Sequence, residues 1–431
     1  MGTHNLYRFA SVFLIIVAIL SYFLGFYIDE NSAGAGSYEG DFKKIWNNIK
    51  IFLENDLATS VQHPDYDDSR APISYILHEI FNPFIKSEIS FRRSVFAIST
   101  FLPVLFYFCL RKKFKNEESL VLILLSSTIL LSPYFRTTAY WGLGENYGLI
   151  FLLLTYLTTD ILDSYIDKLK FKIYVKLIAV ILFSSLCFYF DQKLIIIPLI
   201  CFFKIFFSNN SSKVKLFSIF CYSLFSLPYI YFMTLWGSLI PTAAAVSRNV
   251  GKELFLDNLG FTLTIIAFYL LPILLFKGEK ITILIKNLFI NKKNYFLTIF
   301  FILYLIYLIL SFDLSQDIDG KGIIFKASLI LFEDHFYRSI FIYISFLISL
   351  FVILIYFNGI LKDLYILGYF LVLSILLYPI YQEYFDPLIL ILAFTFFSTK
   401  IYINYKNSII LFLYLSILLI SANIYYFNLL N

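Results

Sequence analysis

The sequence has few charged residues for its length. They make up 15% of the 431 residues, against about 25% in an ordinary soluble domain. Hydrophobic residues make up 60%, and the mean hydropathy is +0.80. A soluble chain of this length could not bury so much apolar surface. The composition therefore excludes a soluble enzyme, a nucleic-acid-binding protein and a disordered chain, and it predicts a polytopic membrane protein.

Cysteine and histidine are also scarce, with four of each. No two cysteines have the spacing of metal ligands, and none lies in a loop that favours a disulfide. All lie in or beside apolar runs: Cys109, Cys187, Cys201 and Cys221. We interpret them as small apolar packing residues.

What the sequence has in abundance is long apolar runs. A spanning helix needs about 20 mostly apolar residues, and this rule predicts an all-α fold of about 11–13 spans in one integral membrane domain covering residues 1–431. The first run is too long for the core of a signal peptide, so we expect an uncleaved span. The candidate spans begin near Leu6, Arg93, Ser119, Trp141, Ile173, Leu194, Leu216, Gly260, Tyr295, Ser339, Leu364, Pro387 and Ser408.

The basic residues orient these spans. With the N-terminus inside, short loops rich in Lys and Arg lie on the cytoplasmic side, as the positive-inside rule requires. Most of the 29 acidic residues then lie outside, in loops 29–92, 237–259, 313–338 and 382–386. Loops on a rigid scaffold often carry function, so we expect any site on the outer face.

The first outside loop contains an amphipathic segment at residues 41–57. Its apolar residues recur every three or four positions, which predicts a helix, and such a helix is typical of the membrane interface. Asp41 begins it, where a carboxylate is stabilised by the helix N-terminus. This position is consistent with an ordinary N-cap as well as with a functional carboxylate.

A second segment of the same loop runs from His63 to Tyr75 and is followed by a predicted interfacial helix over residues 72–84. Its three acids, Asp65, Asp67 and Asp68, could bind a divalent cation or could simply be solvated. His63 and His78 could each act on a phosphate or a sugar hydroxyl.

These features together resemble the class C glycosyltransferases, multispanning enzymes that use polyprenyl-phosphate-linked sugars. Within that class, the loop is similar to the family that transfers an α-1,2-linked glucose from dolichyl phosphate glucose. The resemblance rests on the Asp41 helix, on His63-Pro64-Asp65 and on the Pro72 turn into Tyr75. This sequence has Asp41-Phe42 where that family has an acidic pair.

Four later segments resemble the same class. They are residues 132–148, which include a carboxylate in a Gly-rich and Tyr-rich turn, then Asp191-Gln192-Lys193, Ser247-Arg248-Asn249 and residues 382–387. The resemblance implies transfer of a sugar to a glycan, lipid-linked saccharide or protein acceptor, with no cofactor required.

The resemblance and the requirements of the reaction suggest roles. Asp41 is the candidate general base, and Glu145 is the alternative base or a partner that orients the sugar. Arg248 and Lys193 are candidates for binding the donor phosphate, although both could be interfacial cations that snorkel. Arg136 could form a structural ion pair with Glu145. The candidate substrate-binding residues are Trp46, His63, Asp65, Tyr140, Trp141, Asn146, Gln192, Glu383 and Tyr384.

Two other functions remain open. One is a carrier or flippase for a lipid-linked saccharide, which would be expected to place charges within its spans. The other is a polysaccharide polymerase or ligase of the cell envelope, because loop 313–338 contains Lys321, Lys326, His335 and Arg338. We expect a bacterial plasma membrane with the site facing outward, or the endoplasmic reticulum lumen in a eukaryote.

Overall fold

A computed structural model of the chain describes residues 3–33, 37–68, 70–163, 171–241, 253–279, 283, 285–286, 292–311, 314, 320–358 and 363–427. Every regular element in those ranges is helical. The chain divides into two compact units. The first comprises Met1–Ser247 and Leu415–Asn431, and the second comprises Arg248–Tyr414.

The first unit holds twelve α-helices and the end of a last one among its described residues. In chain order they are α1 Thr3–Tyr27, α2 Lys43–Glu54, α3 Leu57–Val61, α4 Ile73–Phe81, α5 Glu88–Ser99, α6 Phe101–Lys113, α7 Ser119–Ser127, α8 Pro133–Trp141, α9 Glu145–Thr158, α10 Phe171–Phe190, α11 Ile196–Phe207 and α12 Ser212–Trp236. Helix α9 packs against α6 and α10, and α1 packs against α7.

The second unit is arranged around α13. Its helices are α13 Asp257–Ile273, α14 Lys292–Ser311, α15 Gly322–Leu331, α16 His335–Tyr356, α17 Leu364–Ile375 and α18 Leu388–Phe394. Helix α13 contacts α15, α16, α17 and α18. The last helix, α19 Tyr405–Tyr426, begins in the second unit and ends in the first.

The prediction of a polytopic membrane protein agrees with these helices. Eight helices among the described residues are long and apolar enough to cross a bilayer, or nine if the pair bent by 67° at Ser132 forms one broken span. The eight are His4–Tyr27, Glu88–Lys113, Phe171–Phe190, Ser212–Trp236, Asp257–Lys277, Asn294–Ser311, His335–Tyr356 and Tyr405–Tyr426.

The remaining predicted spans fall on shorter helices. The apolar runs that begin near Trp141, Leu194, Leu364 and Pro387 correspond to α9, α11, α17 and α18. These have 14, 12, 12 and 7 residues, fewer than the about 20 that a bilayer requires. The length of an apolar run therefore overestimates the length of the helix within it when a turn interrupts that helix.

The two helices predicted in the first loop are present. The first is α2, preceded by a single wide turn at Tyr38–Phe42 that contains Asp41. The apolar face of α2, which includes Ile45, Trp46 and Ile49, is buried within the unit, where α2 packs on α4. That face is thus used for protein packing, whereas the sequence suggested contact with the membrane interface.

Candidate functional site

The strongest candidate site is a group of charged side chains in the first unit, centred on Arg70. Its guanidinium donates a hydrogen bond from Nη2 to Oε1 of Glu145, and Nη1 lies 3.5 Å from Oδ1 of Asp68. The phenol of Tyr134 also donates to Oε1 of Glu145. We call this group and its electrostatic neighbours the carboxylate cluster, and define it as Asp41, Asp68, Arg70, Glu145, Asp191 and Lys193.

Helices α2 and α4 hold the Asp68–Arg70 segment in place. Asn48, buried on α2, donates from Nδ2 to the carbonyl oxygen of Asp67 and accepts from the Asp67 amide at 3.2 Å. The same Nδ2 donates to the hydroxyl of Tyr75 on α4, which in turn donates to Oδ2 of Asp68 at 2.6 Å. One amide side chain thus fixes the loop that carries both Asp68 and Arg70.

Asp41 lies at the edge of the cluster, half-buried in the turn before α2. Its carboxylate has no hydrogen-bond or ion-pair partner among the described residues. Burial raises the pKa of Asp41, and the Glu145 carboxylate raises it further, while Arg70 and Lys44 lower it. A carboxylate with a raised pKa is a stronger base than an ordinary surface aspartate.

Asp191 and Lys193 close the cluster at the end of α10. Asp191 Oδ2 lies 2.7 Å from Lys193 Nζ, and both side chains are largely buried. The approach of α9 to this point is close, because a Cβ on Gly148 would lie 3.1 Å from that of Asp191. Burial raises the pKa of Asp191, and the neighbouring Lys193 opposes that rise.

The helix that carries Glu145 is braced by a buried histidine. His78 on α4 lies 3.0 Å through Nε2 from the hydroxyl of Tyr147 on α9, and 2.9 Å through Nδ1 from Nδ2 of Asn82. Burial lowers the pKa of His78 to about 4, so the imidazole is neutral at physiological pH. His78 therefore supports α4 and α9 without adding a charge.

The cluster combines a proton acceptor with several groups that bind hydroxyls. Asp41 can accept a proton, and the carboxylates of Glu145 and Asp68 can orient sugar hydroxyls. Both cations are already paired, Arg70 with two carboxylates and Lys193 with Asp191. Lys193, predicted to bind phosphate, lies beside Asp191, an electrostatic neighbour of Glu145, and shares its charge with that carboxylate.

Three predicted substrate-binding residues lie instead in a separate buried network. Tyr140 donates to the carbonyl oxygen of Tyr22 at 2.6 Å, and Trp141 Nε1 donates to the carbonyl oxygen of Glu30 at 3.3 Å. Asn146 donates to Ser99 Oγ at 3.3 Å. These contacts give the three side chains structural partners within the unit.

The suggested ion pair between Arg136 and Glu145 is wrong. Arg136 Nη1 lies 2.7 Å from Oε2 of Glu30, and both side chains are almost fully buried. Glu145 pairs instead with Arg70. The choice of partner depends on how α8 packs against α1, which the local sequence does not reveal.

The acidic triplet of the first loop does not converge. Asp65 is exposed, and its Oδ2 lies 3.9 Å from Nδ1 of His63. Oδ2 of Asp67 lies 3.0 Å from Nζ of Lys44. Asp68 belongs to the carboxylate cluster. Throughout the described ranges there is no group of three or more His, Cys, Asp or Glu side chains placed to hold a metal ion. The divalent-cation site stays a prediction.

The remaining predicted site residues are dispersed. The ring of Trp46 packs on Phe91 with centroids 5.8 Å apart, and Gln192 donates to Tyr229 at 3.2 Å. Arg248 lies outside the described residues. Glu383 and Tyr384 lie in the second unit, in a short turn at Gln382–Tyr384.

Loop 313–338 contains a buried lysine in the second unit. Lys321 has φ +61°, between Gly320 and Gly322, which also have positive φ. Its Nζ lies 3.6 Å from Oδ2 of Asp257 and 4.9 Å from the ring centroid of Phe261. This lysine is thus part of the interior rather than an exposed loop cation.

Sequence reasoning assigned no role to Arg70, Tyr134, Tyr75 or Asn48. The one local signal was the Asp68-Ser69-Arg70 spacing between two prolines, an acid and a base held in a short turn. Residues on three separate helices complete the site, and no periodicity in the sequence relates them.

Comparison with known proteins gives no relative. No protein-family model matches the chain, no curated protein matches it, and no solved structure matches it.

Proposed function

We propose that the protein is a membrane glycosyltransferase of class C, which transfers a sugar from a polyprenyl-phosphate-linked donor to a glycan, lipid-linked or protein acceptor. The observation that carries this proposal is Asp41, a half-buried carboxylate that has no hydrogen-bond or ion-pair partner among the described residues and whose pKa is raised by burial and by the Glu145 carboxylate. It is supported by eight apolar helices among the described residues that are long enough to span a bilayer and by the resemblance of the first loop to that class.

In the proposed reaction Asp41 accepts the proton of an acceptor hydroxyl. The acceptor oxygen forms a bond to the anomeric carbon, and the bond from that carbon to the phosphate oxygen breaks. The lipid phosphate leaves with the electron pair. Glu145 and Asp68 orient hydroxyls around the reacting carbon, and Arg70 fixes both carboxylates.

The donor phosphate needs positive charge that Arg70 and Lys193 supply only in part, because both are paired with carboxylates. Arg248, which lies outside the described residues, stays a prediction from the sequence for binding the donor phosphate. We place the site on the outer face of a bacterial plasma membrane, or in the lumen of the endoplasmic reticulum in a eukaryote, from the charge asymmetry of the loops.

The test is transfer from synthetic polyprenyl-phosphate sugars by the protein in nanodiscs. Asp41→Asn should reduce the transfer rate by at least about a hundredfold, as loss of a general base does, while folding and donor binding persist. Glu54→Gln, which removes an exposed acid of the same loop, is the matched control. Near-normal transfer by Asp41→Asn would refute the assignment, and movement of intact donor across the membrane without cleavage would favour a carrier.

A further inference from the structure

With its carboxyl groups ionised, the carboxylate cluster has more negative than positive charge, and burial raises the pKa of Asp41, Asp68 and Asp191 because the cations among the described residues do not fully match that negative charge. Four carboxylates, Asp41, Asp68, Glu145 and Asp191, face two cations, Arg70 and Lys193. A third cation, Lys44, acts on Asp41 from the surface, where it also pairs with Asp67 at 3.0 Å, so the cluster still has more carboxylates than cations. Burying excess charge of one sign is costly unless a partner of the opposite sign completes the group.

A second observation concerns Glu145, which is only 3% exposed. Both of its hydrogen-bond donors, Arg70 and Tyr134, bind Oε1. The other oxygen, Oε2, is buried and has no hydrogen-bond partner among the described residues. An ionised oxygen left without a donor costs about 1–3 kcal/mol or more, so this atom points to a donor other than the described residues.

Two kinds of ligand fit this arrangement poorly. A phosphate without an accompanying cation would add negative charge to a group that already has an excess of it, so a donor phosphate held by Arg70 and Lys193 increases the need for a positive group on the ligand. A divalent cation needs several oxygens converging on one point, and the described residues contain no such group of three. Arg70 instead bridges Asp68 and Glu145.

We propose that the cluster binds a protonated amine on the donor sugar, so that the substrate class is an amino sugar with a free amine rather than a neutral or N-acetylated sugar. This inference rests on the proposed function. An ammonium group supplies both the missing positive charge and the donor for Glu145 Oε2. Asp41 stays available for the acceptor hydroxyl.

The direct test is binding rather than turnover. Three short-chain donors, citronellyl phosphate linked to glucosamine, to glucose and to N-acetylglucosamine, are titrated into the protein in nanodiscs at pH 6.5. The glucosamine compound should bind at least about tenfold more tightly than the other two, the gain expected of one charge-assisted hydrogen bond. Equal affinities, or no saturable binding of the glucosamine compound, would overturn the proposal.

Matched variants locate the effect. Glu145→Gln should reduce the preference for glucosamine to less than about threefold, because the neutral amide contributes no charge. Glu54→Gln should leave the preference unchanged. If binding of the glucosamine compound required millimolar Mg²⁺, a metal would supply the missing charge and the proposal would be wrong.

Transfer is measured separately with the same donors, by release of citronellyl phosphate. A binding preference without release would contradict the glycosyltransferase but support the amino-sugar site. Release without a preference would support the glycosyltransferase and reject the amino-sugar site. The two proposals therefore fail in different ways.

Discussion

The first unit contains two arginine–glutamate pairs that differ in how completely they are satisfied. Arg136 pairs with Glu30 at 2.7 Å, donates to the carbonyl oxygens of Leu130 and Ser21, and is 2% exposed. The second oxygen of Glu30 accepts a hydrogen bond from Asn423. Every charge in this pair has its partners within the protein.

The pair of Arg70 and Glu145 is different. Arg70 is 28% exposed and is shared between two carboxylates, and no described residue donates a hydrogen bond to Glu145 Oε2. A complete buried pair is typical of structure, whereas an incomplete one beside perturbed carboxylates is typical of a binding or catalytic site. The comparison separates a pair that holds helices together from a pair that is available for chemistry.

The largest expected effect comes from removing each arginine in turn. Arg136→Gln leaves Glu30 as a buried unpaired charge, which should cost about 3–5 kcal/mol and strongly reduce the yield of folded protein. Arg70→Gln should be tolerated better because its site is partly open, yet transfer should fall by at least about a hundredfold because Glu145 and Asp68 lose their orienting cation. Thermal unfolding in detergent and transfer in nanodiscs measure the two effects.

The comparison would break if both variants lost stability equally, or if Arg70→Gln transferred sugar at the normal rate. Arg136→Met combined with Glu30→Leu provides a control, since replacing both partners of a buried pair by apolar residues is often tolerated. Recovery of folded yield in that double variant would confirm that the Arg136 pair serves stability alone.

The sequence predicted the positions of the helices better than it predicted which side chains contact one another. The apolar spacing after Asp41 located α2, because packing of one face imposes a local period. The same reasoning could not show that Asn48, on the opposite side of that pattern, binds the loop of Asp68 and the hydroxyl of Tyr75. It suggested Glu145 as the partner of Arg136, whereas the partner is Glu30, 106 positions away in the sequence, because packing rather than sequence separation decides the pairing.

Within the site, sequence reasoning selected Asp41, Glu145 and Lys193, which the fold places in one electrostatic group. Arg70 was missed, since a single arginine in a polar loop is most often solvated. Ion pairs between residues 75 positions apart, such as Arg70 and Glu145, depend on tertiary structure and leave no trace in composition or periodicity.

A smaller effect is expected from replacing His78. This neutral side chain connects α4 to α9, the helix that carries Glu145 of the Arg70–Glu145 pair. The pKa of His78 is about 4 in the folded protein and about 6.5 when exposed. Between these values the unfolded chain binds a proton that the folded chain does not, so stability falls as pH decreases from 6.5 to 4, by about 3 kcal/mol in total. His78→Gln stays neutral, and its thermal midpoint should fall less over this range than that of the wild type.

That experiment compares slopes rather than absolute stabilities, because other acids titrate in the same range in both proteins. Parallel curves for His78→Gln and the wild type would show that His78 does not carry this dependence. A steeper fall for the wild type would support a neutral brace between α4 and α9.

The smallest effect tests whether the charges around Asp41, next to the Arg70–Glu145 pair, set its pKa. In the proposed mechanism transfer requires the Asp41 carboxylate, so the rate should fall as pH decreases through its raised pKa. Lys44 lowers that pKa, so Lys44→Gln should raise it and move the acid limb of the rate profile to higher pH. The shift should be less than about one pH unit, since Lys44 is 60% exposed and solvent screens its charge.

Lys50→Gln removes a charge from the same helix that is not among the groups shifting the pKa of Asp41, and its profile should match the wild type. A shift of the acid limb to lower pH in Lys44→Gln would contradict Asp41 as the base, because removing a nearby cation cannot make a carboxyl more acidic.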